Sequence, residues 1–452
     1  MTQAIRTRAI PLLGISLGYF LVLLDTTVLA VAEPDLAASL GASVAGLQWV
    51  TTGYTVAFAA LLLSAGAVTD RFGASRVFRA GVVAFCALSL TSAVAPNLGA
   101  LIGIRVLLGA AAAACVPSSL ALLSELYPER PAHARAIGVW AAISGAAIAA
   151  GPLIGGALVA WHGWRAVFLV NVPIGVLVVA TTSALRSPRG AARVNWLAQA
   201  AVAAALALTT DALVAAGRRA WLHAACAVVA SLAAAGVFTA VNRETRLPVL
   251  DPRVVGDRRV RAALLAGGVV NFALAGVLFV LPLVLAHRGF GPLATGLGLA
   301  PLTVPFVVNP PFTARLVAAR GHRTAILLGL ALLTVGTAAL AVTDRYLAMV
   351  PGLLLAGLGV SFVLPALVGA VLAAAPPGSA GSAGGVLNTS RQTGAVLGVA
   401  VLGGAYTASG ATPALLVAAA AAAAAGVRYA VVTRERNRRR RDGRRTGACP
   451  PA

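Results

Sequence analysis

Lysine is missing altogether: all 35 basic residues of the 452 are arginines. A chain without lysine carries no Walker A motif, whose lysine contacts the nucleotide phosphates, and forms no lysine Schiff base. ATP-driven pumping by this chain alone is argued against on that ground. Charge is scarce as well, at 11% of residues, and only 13 residues are acidic. Of the four cysteines, Cys86, Cys115 and Cys226 lie in apolar stretches and Cys449 near the end. They share no paired spacing, so neither a disulfide framework nor a metal site is indicated, and they read as ordinary buried thiols. The five histidines, His133, His162, His223, His287 and His322, show no metal-ligand spacing, and neither a nucleophile elbow nor a kinase motif occurs. The expectation is a protein that is not an enzyme and needs no cofactor or metal.

What is abundant is apolar surface. With 59% hydrophobic residues and a mean hydropathy of +0.90, the chain is too apolar for a soluble multidomain protein. Runs of about 18 or more nearly uncharged residues recur, and strand-like alternation does not dominate, so spanning helices are favoured over a barrel. The expected class is an all-α polytopic membrane protein. The net charge of +22 would suggest nucleic acid in a soluble protein. Here most arginines fall in loops on one side, the positive-inside bias of a cytoplasmic face, and nucleic-acid binding is not expected.

Fourteen apolar spans can be read between residues 10 and 432, the first over 10–32, which places both termini in the cytoplasm. The division is 1–190 for a first six-helix bundle, 191–242 for two inserted transmembrane helices, 243–433 for a second six-helix bundle and 434–452 for a basic tail. That tail, with eight arginines between Arg434 and Arg445, reads as disordered and attracted to anionic lipid headgroups. A weak internal echo at a shift of about 248 residues sets Asp70-Arg71-Phe72-Gly73 against Ala318-Ala319-Arg320-Gly321. Near the same shift, Gly138 and Gly151 meet Gly385 and Gly398. Repeated halves are the architecture of a rocking transporter. The N-terminus, with Arg6, Arg8, an apolar run and Ala30-Val31-Ala32, has the outline of a signal peptide, but Asp25 inside the run argues for an uncleaved first helix.

Asp25 stands about midway along that first span. A charged Asp at a bilayer centre costs roughly 2.5–3.5 kcal/mol, so it faces a bundle interior or a watery cavity and is a functional candidate by default. Its surroundings decide whether it holds a proton. Arg105, in the fourth span, has no charged neighbour in its own helix, and Asp25 is the nearest plausible acid in the first half. The pair is either a proton-coupling device or a purely structural ion pair. Glu33 reads as an exposed loop acid beyond the first span, with a second proton acceptor near the outer mouth as the alternative. Asp211, towards the end of span 7, is another buried acid candidate, better read as structural.

Several local patterns add function. The loop Gly66-Ala-Val-Thr-Asp70-Arg71-Phe-Gly73-Ala-Ser-Arg76 joins two spans by a tight basic turn able to latch helices and release them. In span 5, Gly145, Gly151, Pro152, Gly155 and Gly156 permit backbone-to-backbone helix contact with a bend at the proline. Polar residues Asn388, Arg391 and Gln392 interrupt an apolar stretch. They either line a cavity, as Thr26 would on the first span, or satisfy broken backbone groups.

The 66–76 loop resembles the loop between helices 2 and 3 of the major facilitator superfamily, although Ala74 and Ser75 stand where that family usually has cations. Arg105 is similar to its helix-4 arginine, and Gly145 to Gly156 resembles the antiporter motif of its exporters. Leu24-Asp25-Thr26-Thr27 and Gly163-Trp164-Arg165 onward resemble the fourteen-helix drug/proton antiporter branch. The resemblance implies a monomeric exporter of small hydrophobic drugs or antibiotics, driven by protons, in a bacterial cytoplasmic membrane. It also implies a proton-transfer role for Arg105. A same-fold importer or exporter of an endogenous metabolite is the alternative. A membrane-embedded enzyme would need a catalytic constellation that the spans lack, and a non-transporting sensor would bind drug without moving it.

Overall fold

The computed structural model describes residues 2–189, 195–244, 256–343, 345–374 and 380–445. Among them every regular element is helical. The first half comprises α1 (Thr2–Leu40), α2 (Val44–Phe72), α3 (Ala74–Ala93), α4 (Leu98–Leu126), α5 (Arg130–His162), α6 (Ala166–Leu169) and α7 (Asn171–Thr182). Then come α8 (Trp196–Gly217) and α9 (Trp221–Glu244). The second half comprises α10 (Arg258–His287), α11 (Pro292–Gly298), α12 (Ala300–Thr303), α13 (Pro305–Val308), α14 (Pro310–Ala341), α15 (Tyr346–Ala374), α16 (Ala380–Ser409) and α17 (Ala411–Arg445). Eleven of these helices are long and apolar enough to cross a membrane, and the stretches Ala166–Thr182 and Pro292–Val308 are shorter apolar helical segments. α14 itself turns at Gly321.

Packing follows the suggested repeat. α1 lies against α5 and α2 against α4, while α10 lies against α16 and α14 against α15. Gly73 and Gly321, paired by the 248-residue shift, both take a positive φ, 89° and 79°, a backbone state that glycine adopts without a Cβ clash. Gly151 and Gly398 are both points of close helix approach. A Cβ on Gly151 would lie 1.9 Å from Thr27 Oγ1, and one on Gly398 would lie 2.1 Å from the Phe272 carbonyl oxygen. The echo in the sequence is therefore a repeat of backbone events. α8 packs on α9 and touches α2 and α16 at the bundle's flank.

Two expectations need correction. α1 does not stop at residue 32 but runs through Glu33, Pro34 and Asp35 to Leu40. Pro34 forfeits one helical hydrogen bond, and side chains beyond it hold the extension in place. The Trp164 N–H donates to Asp35 Oδ2 at 2.8 Å and its Nε1 donates to Ser39 Oγ at 3.0 Å. Likewise, the backbone helix of α17 continues to Arg445 where a disordered segment from Arg434 was expected. Alanine and arginine are strong helix formers, and cations near a helix C-terminus complement its dipole. Residues 446–452, with Cys449, lie outside the described residues, as does much of the long loop after α9.

Candidate functional site

The first half encloses an ionic cluster. Arg105 Nη1 donates to Asp25 Oδ2, and both side chains are buried to about 1% exposure. Arg105 is held from two further directions: its Nε donates to the Val50 carbonyl at 3.1 Å, and its guanidinium lies 4.4 Å from the Tyr54 ring centroid. The second oxygen of Asp25 accepts from Asn171 Nδ2 at 3.1 Å, and the same amide nitrogen donates to Ser89 Oγ at 3.2 Å. A buried ion pair is tolerable only when its lone pairs and protons find partners, and here both Asp25 oxygens and the Arg105 Nε and Nη1 groups have them. Helices α1, α2, α3, α4 and α7 each contribute a group. Tyr54, Ser89 and Asn171 had no role assigned from sequence. Asn171 alone carried a signal, as a lone amide in an otherwise apolar helix.

Beside this cluster lies a central cavity of about 130 Å³ between the two halves. Arg105 is on its wall, as are Tyr54, Thr26, Asn388, Arg391 and Gln392, whereas Asp25 sits behind Arg105. α16 is continuous through Asn388 and Gln392, so those polar groups serve the cavity and do not repair broken backbone. Arg391 Nε donates to Asn271 Oδ1 at 3.3 Å. Glu33, expected as a loop acid, is 1% exposed and lines the same cavity. The extension of α1 carries it inside.

One end of the cavity is closed by contacts between the halves. Gln48 Nε2 donates to the carbonyls of Val399 and Ala400, each at 3.0 Å. The antiporter-like segment lies at this closure: Cβ atoms on Gly151 and Gly155 would strike α1, and one on Gly156 would come 2.7 Å from the Pro292 carbonyl. Reciprocally, a Cβ on Gly296 would come 2.2 Å from the Pro152 carbonyl. At the other end, which carries the 66–76 loop, Gly66 and Gly138 of the first half and Gly384 and Gly385 of the second all face open space. Gly145 stands between, with only the Phe306 carbonyl at 4.0 Å. Among the described residues, the contacts found between the halves thus gather at one end of the cavity, away from the 66–76 loop.

The loop's own contacts stay within its half. The Ser75 N–H donates to Ser187 Oγ at 3.0 Å, and that hydroxyl donates to Glu125 Oε2 at 2.5 Å. Gly73 leaves room for the carbonyls of Ser187 and Pro188. Asp70, Arg71 and Arg76 are exposed, Arg71 over the Phe72 ring and Arg76 Nη1 donating to the Phe72 carbonyl at 3.4 Å. Ala74 and Ser75, which replace the family's usual cations, are buried against the rest of the half. Elsewhere, Asp211 is not buried: it is about one-third exposed and within 2.6 Å of His223 Nε2 on α9. Cys226, expected to be buried, is exposed on α9.

In the second half, apart from Arg391, a neutral polar cluster is buried. Asn309 Nδ2 donates to Thr313 Oγ1 at 3.2 Å and to Ser361 Oγ at 3.3 Å, and Ser361 Oγ donates to the Pro305 carbonyl at 3.0 Å.

A repeated backbone plan, helices long enough to span a membrane and a central cavity between the halves define the class as a membrane transporter. The family model of the Major Facilitator Superfamily matches residues 15–398 and 263–448, and the chain belongs to that superfamily, a multi-pass membrane transporter and not an enzyme. It is 33% identical over 406 residues to the "Multidrug resistance protein Stp" of Mycobacterium tuberculosis, covering 88% of this chain and 76% of that protein. Identity to the "Methylenomycin A resistance protein" of Streptomyces coelicolor is also 33%, over 86% of this chain and 84% of the relative. The "Puromycin resistance protein pur8" of Streptomyces alboniger is 33% identical, with coverage of 88% and 81%. Among solved structures, the human organic anion transporter MFSD10 (TETRAN) superposes with a TM-score of 0.64 at 17% identity, over 93% of this chain and 99% of that one, a likeness of fold.

Proposed function

We propose that this protein exports small, largely apolar drugs or antibiotics across a bacterial cytoplasmic membrane in exchange for protons. The observation that carries the reading is the Asp25–Arg105 pair, buried directly behind a cavity whose closing contacts gather at one end. The resistance and export functions in the names of the relatives support the same cargo class.

In the proposed topology both termini and the 66–76 loop are cytoplasmic, so the cavity faces inward. The eleven long spans, the short stretches 166–182 and 292–308, and α16 make fourteen crossings once the part of α14 before Gly321 joins α11 to α13. The halves divide near residues 190 and 243, with α8 and α9 inserted between them, and the basic end of α17 meets anionic lipid. The working unit is a monomer.

The cycle follows from the chemistry of the pair. With cargo bound in the inward-facing state, Asp25 is ionised and held by Arg105 and Asn171. After reorientation a proton from outside neutralises Asp25, which releases Arg105 as cargo leaves. Return to the inward state discharges the proton as the next cargo enters. One proton entering down ~150 mV supplies roughly 3.4 kcal/mol, enough for a few-hundredfold cargo gradient. No organic cofactor or metal takes part.

The test is a resistance panel on cells with and without the gene, repeated with a protonophore. The expected result is raised resistance to a set of antibiotics with efflux that collapses when the gradient is dissipated. Unchanged resistance across the panel would reject drug export, and efflux indifferent to the protonophore would reject proton coupling.

A further inference from the structure

Glu33 takes no part in the cycle just described, yet it lines the same cavity, 1% exposed. Its Oε1 accepts from Thr51 Oγ1 at 2.9 Å, while its Oε2 is buried with no partner among the described residues. Asp25, eight residues earlier and about 12 Å away along the helix, has both oxygens filled. Leaving a buried carboxylate oxygen unfilled costs free energy that an arriving donor recovers. Phe58 and Phe279 line the same cavity, and aromatic rings are suitable neighbours for a cation.

The ionisable groups of the cavity are also spread along its axis. Glu33 is joined to Thr51, one helical turn from Gln48, so it belongs to the closed end. Arg391 lies eight residues before Val399, the carbonyl that Gln48 engages, and so sits about 12 Å nearer the loop end. The third group on the wall, Arg105, is already balanced by Asp25. A cargo entering from the loop end passes the Arg391 guanidinium and comes to rest against a carboxyl group that still has an oxygen to fill.

We propose that Glu33 is a cargo-recognition residue that receives a positively charged nitrogen at the closed end of the cavity. The proposal deepens the export reading and rests on it for the identity of the cavity. It makes cationic amphiphiles a favoured class of cargo.

The test is binding to the full-length protein in lipid nanodiscs, followed by fluorescence, with ethidium as a permanent cation and Nile red as a neutral probe. Glu33→Gln keeps an oxygen for Thr51 and removes only the charge. Ethidium binding is expected to weaken at least tenfold in this variant, with Nile red within about twofold, and Glu33→Asp to lie between wild type and Glu33→Gln. Equal weakening of both probes, or ethidium binding as strong in Glu33→Gln as in the wild type, would overturn the proposal. The assay needs neither transport nor a proton gradient. Charge-selective binding without drug resistance in cells would therefore reject the export reading and leave Glu33 in place.

Discussion

The two halves share a backbone plan but not a chemistry. The first half buries an ion pair, Asp25 with Arg105 and Asn171 beside it, whereas the second half buries a neutral cluster of Asn309, Thr313 and Ser361 and places Arg391 on the cavity wall against Asn271 with no acidic partner among the described residues. A buried ion pair is a weak source of stability but loses its balance when either partner changes protonation. A neutral hydrogen-bonded cluster has no such second state. In the proposed cycle, the contrast assigns the response to the first half and the role of a wall to the second.

The largest expected effect comes from removing the ionic character. Asp25→Asn should lower proton-driven efflux at least a hundredfold, while cargo–cargo exchange across proteoliposomes persists. Asparagine keeps an acceptor for Arg105, whose bonds to the Val50 carbonyl and the Tyr54 face remain, so insertion and detergent stability are expected to survive. A smaller but still severe effect is expected at the joint between halves. Gly296→Val places side-chain atoms against the Pro152 carbonyl and should cut transport at least tenfold by preventing closure, measurable as cysteine accessibility at the closed end. Asn171→Ala, which deprives Asp25 of one donor but leaves Arg105 in place, should slow turnover about threefold. In the neutral half, Asn309→Ala should cost about 1 kcal/mol of stability, seen as a lower unfolding midpoint, and leave the proton-to-cargo ratio unchanged. If Asn309→Ala altered that ratio as strongly as Asp25→Asn, the division of labour between the halves would be broken.

How much of this was legible in the chain depends on what kind of signal each feature leaves. Helical spans follow from apolar runs, which no tertiary contact can disguise. Asp25 and Arg105 were legible for the converse reason, since an isolated charge in such a run demands a partner. Glu33 was misplaced because Pro34 and Asp35 look like a turn. The contacts that hold the helix through them join Trp164 to Asp35 and Ser39, 129 and 125 residues earlier in the chain. Its seven-residue spacing from Thr26, two helical turns on one face, was the available clue. Asn171 and Ser89 could not be assigned from sequence because single polar residues in helices most often bond their own backbone. Asp211 looked buried because α8 is apolar, yet α8 lies at the flank of the bundle and exposes that end.

The central claim is that the buried carboxylate of Asp25 exchanges its proton when cargo binds. The direct measurement is proton release from purified protein in weakly buffered detergent on addition of cargo, read with a pH dye. The wild type is expected to release close to one proton per cargo bound and Asp25→Asn none. Release from Asp25→Asn equal to that of the wild type would contradict the account.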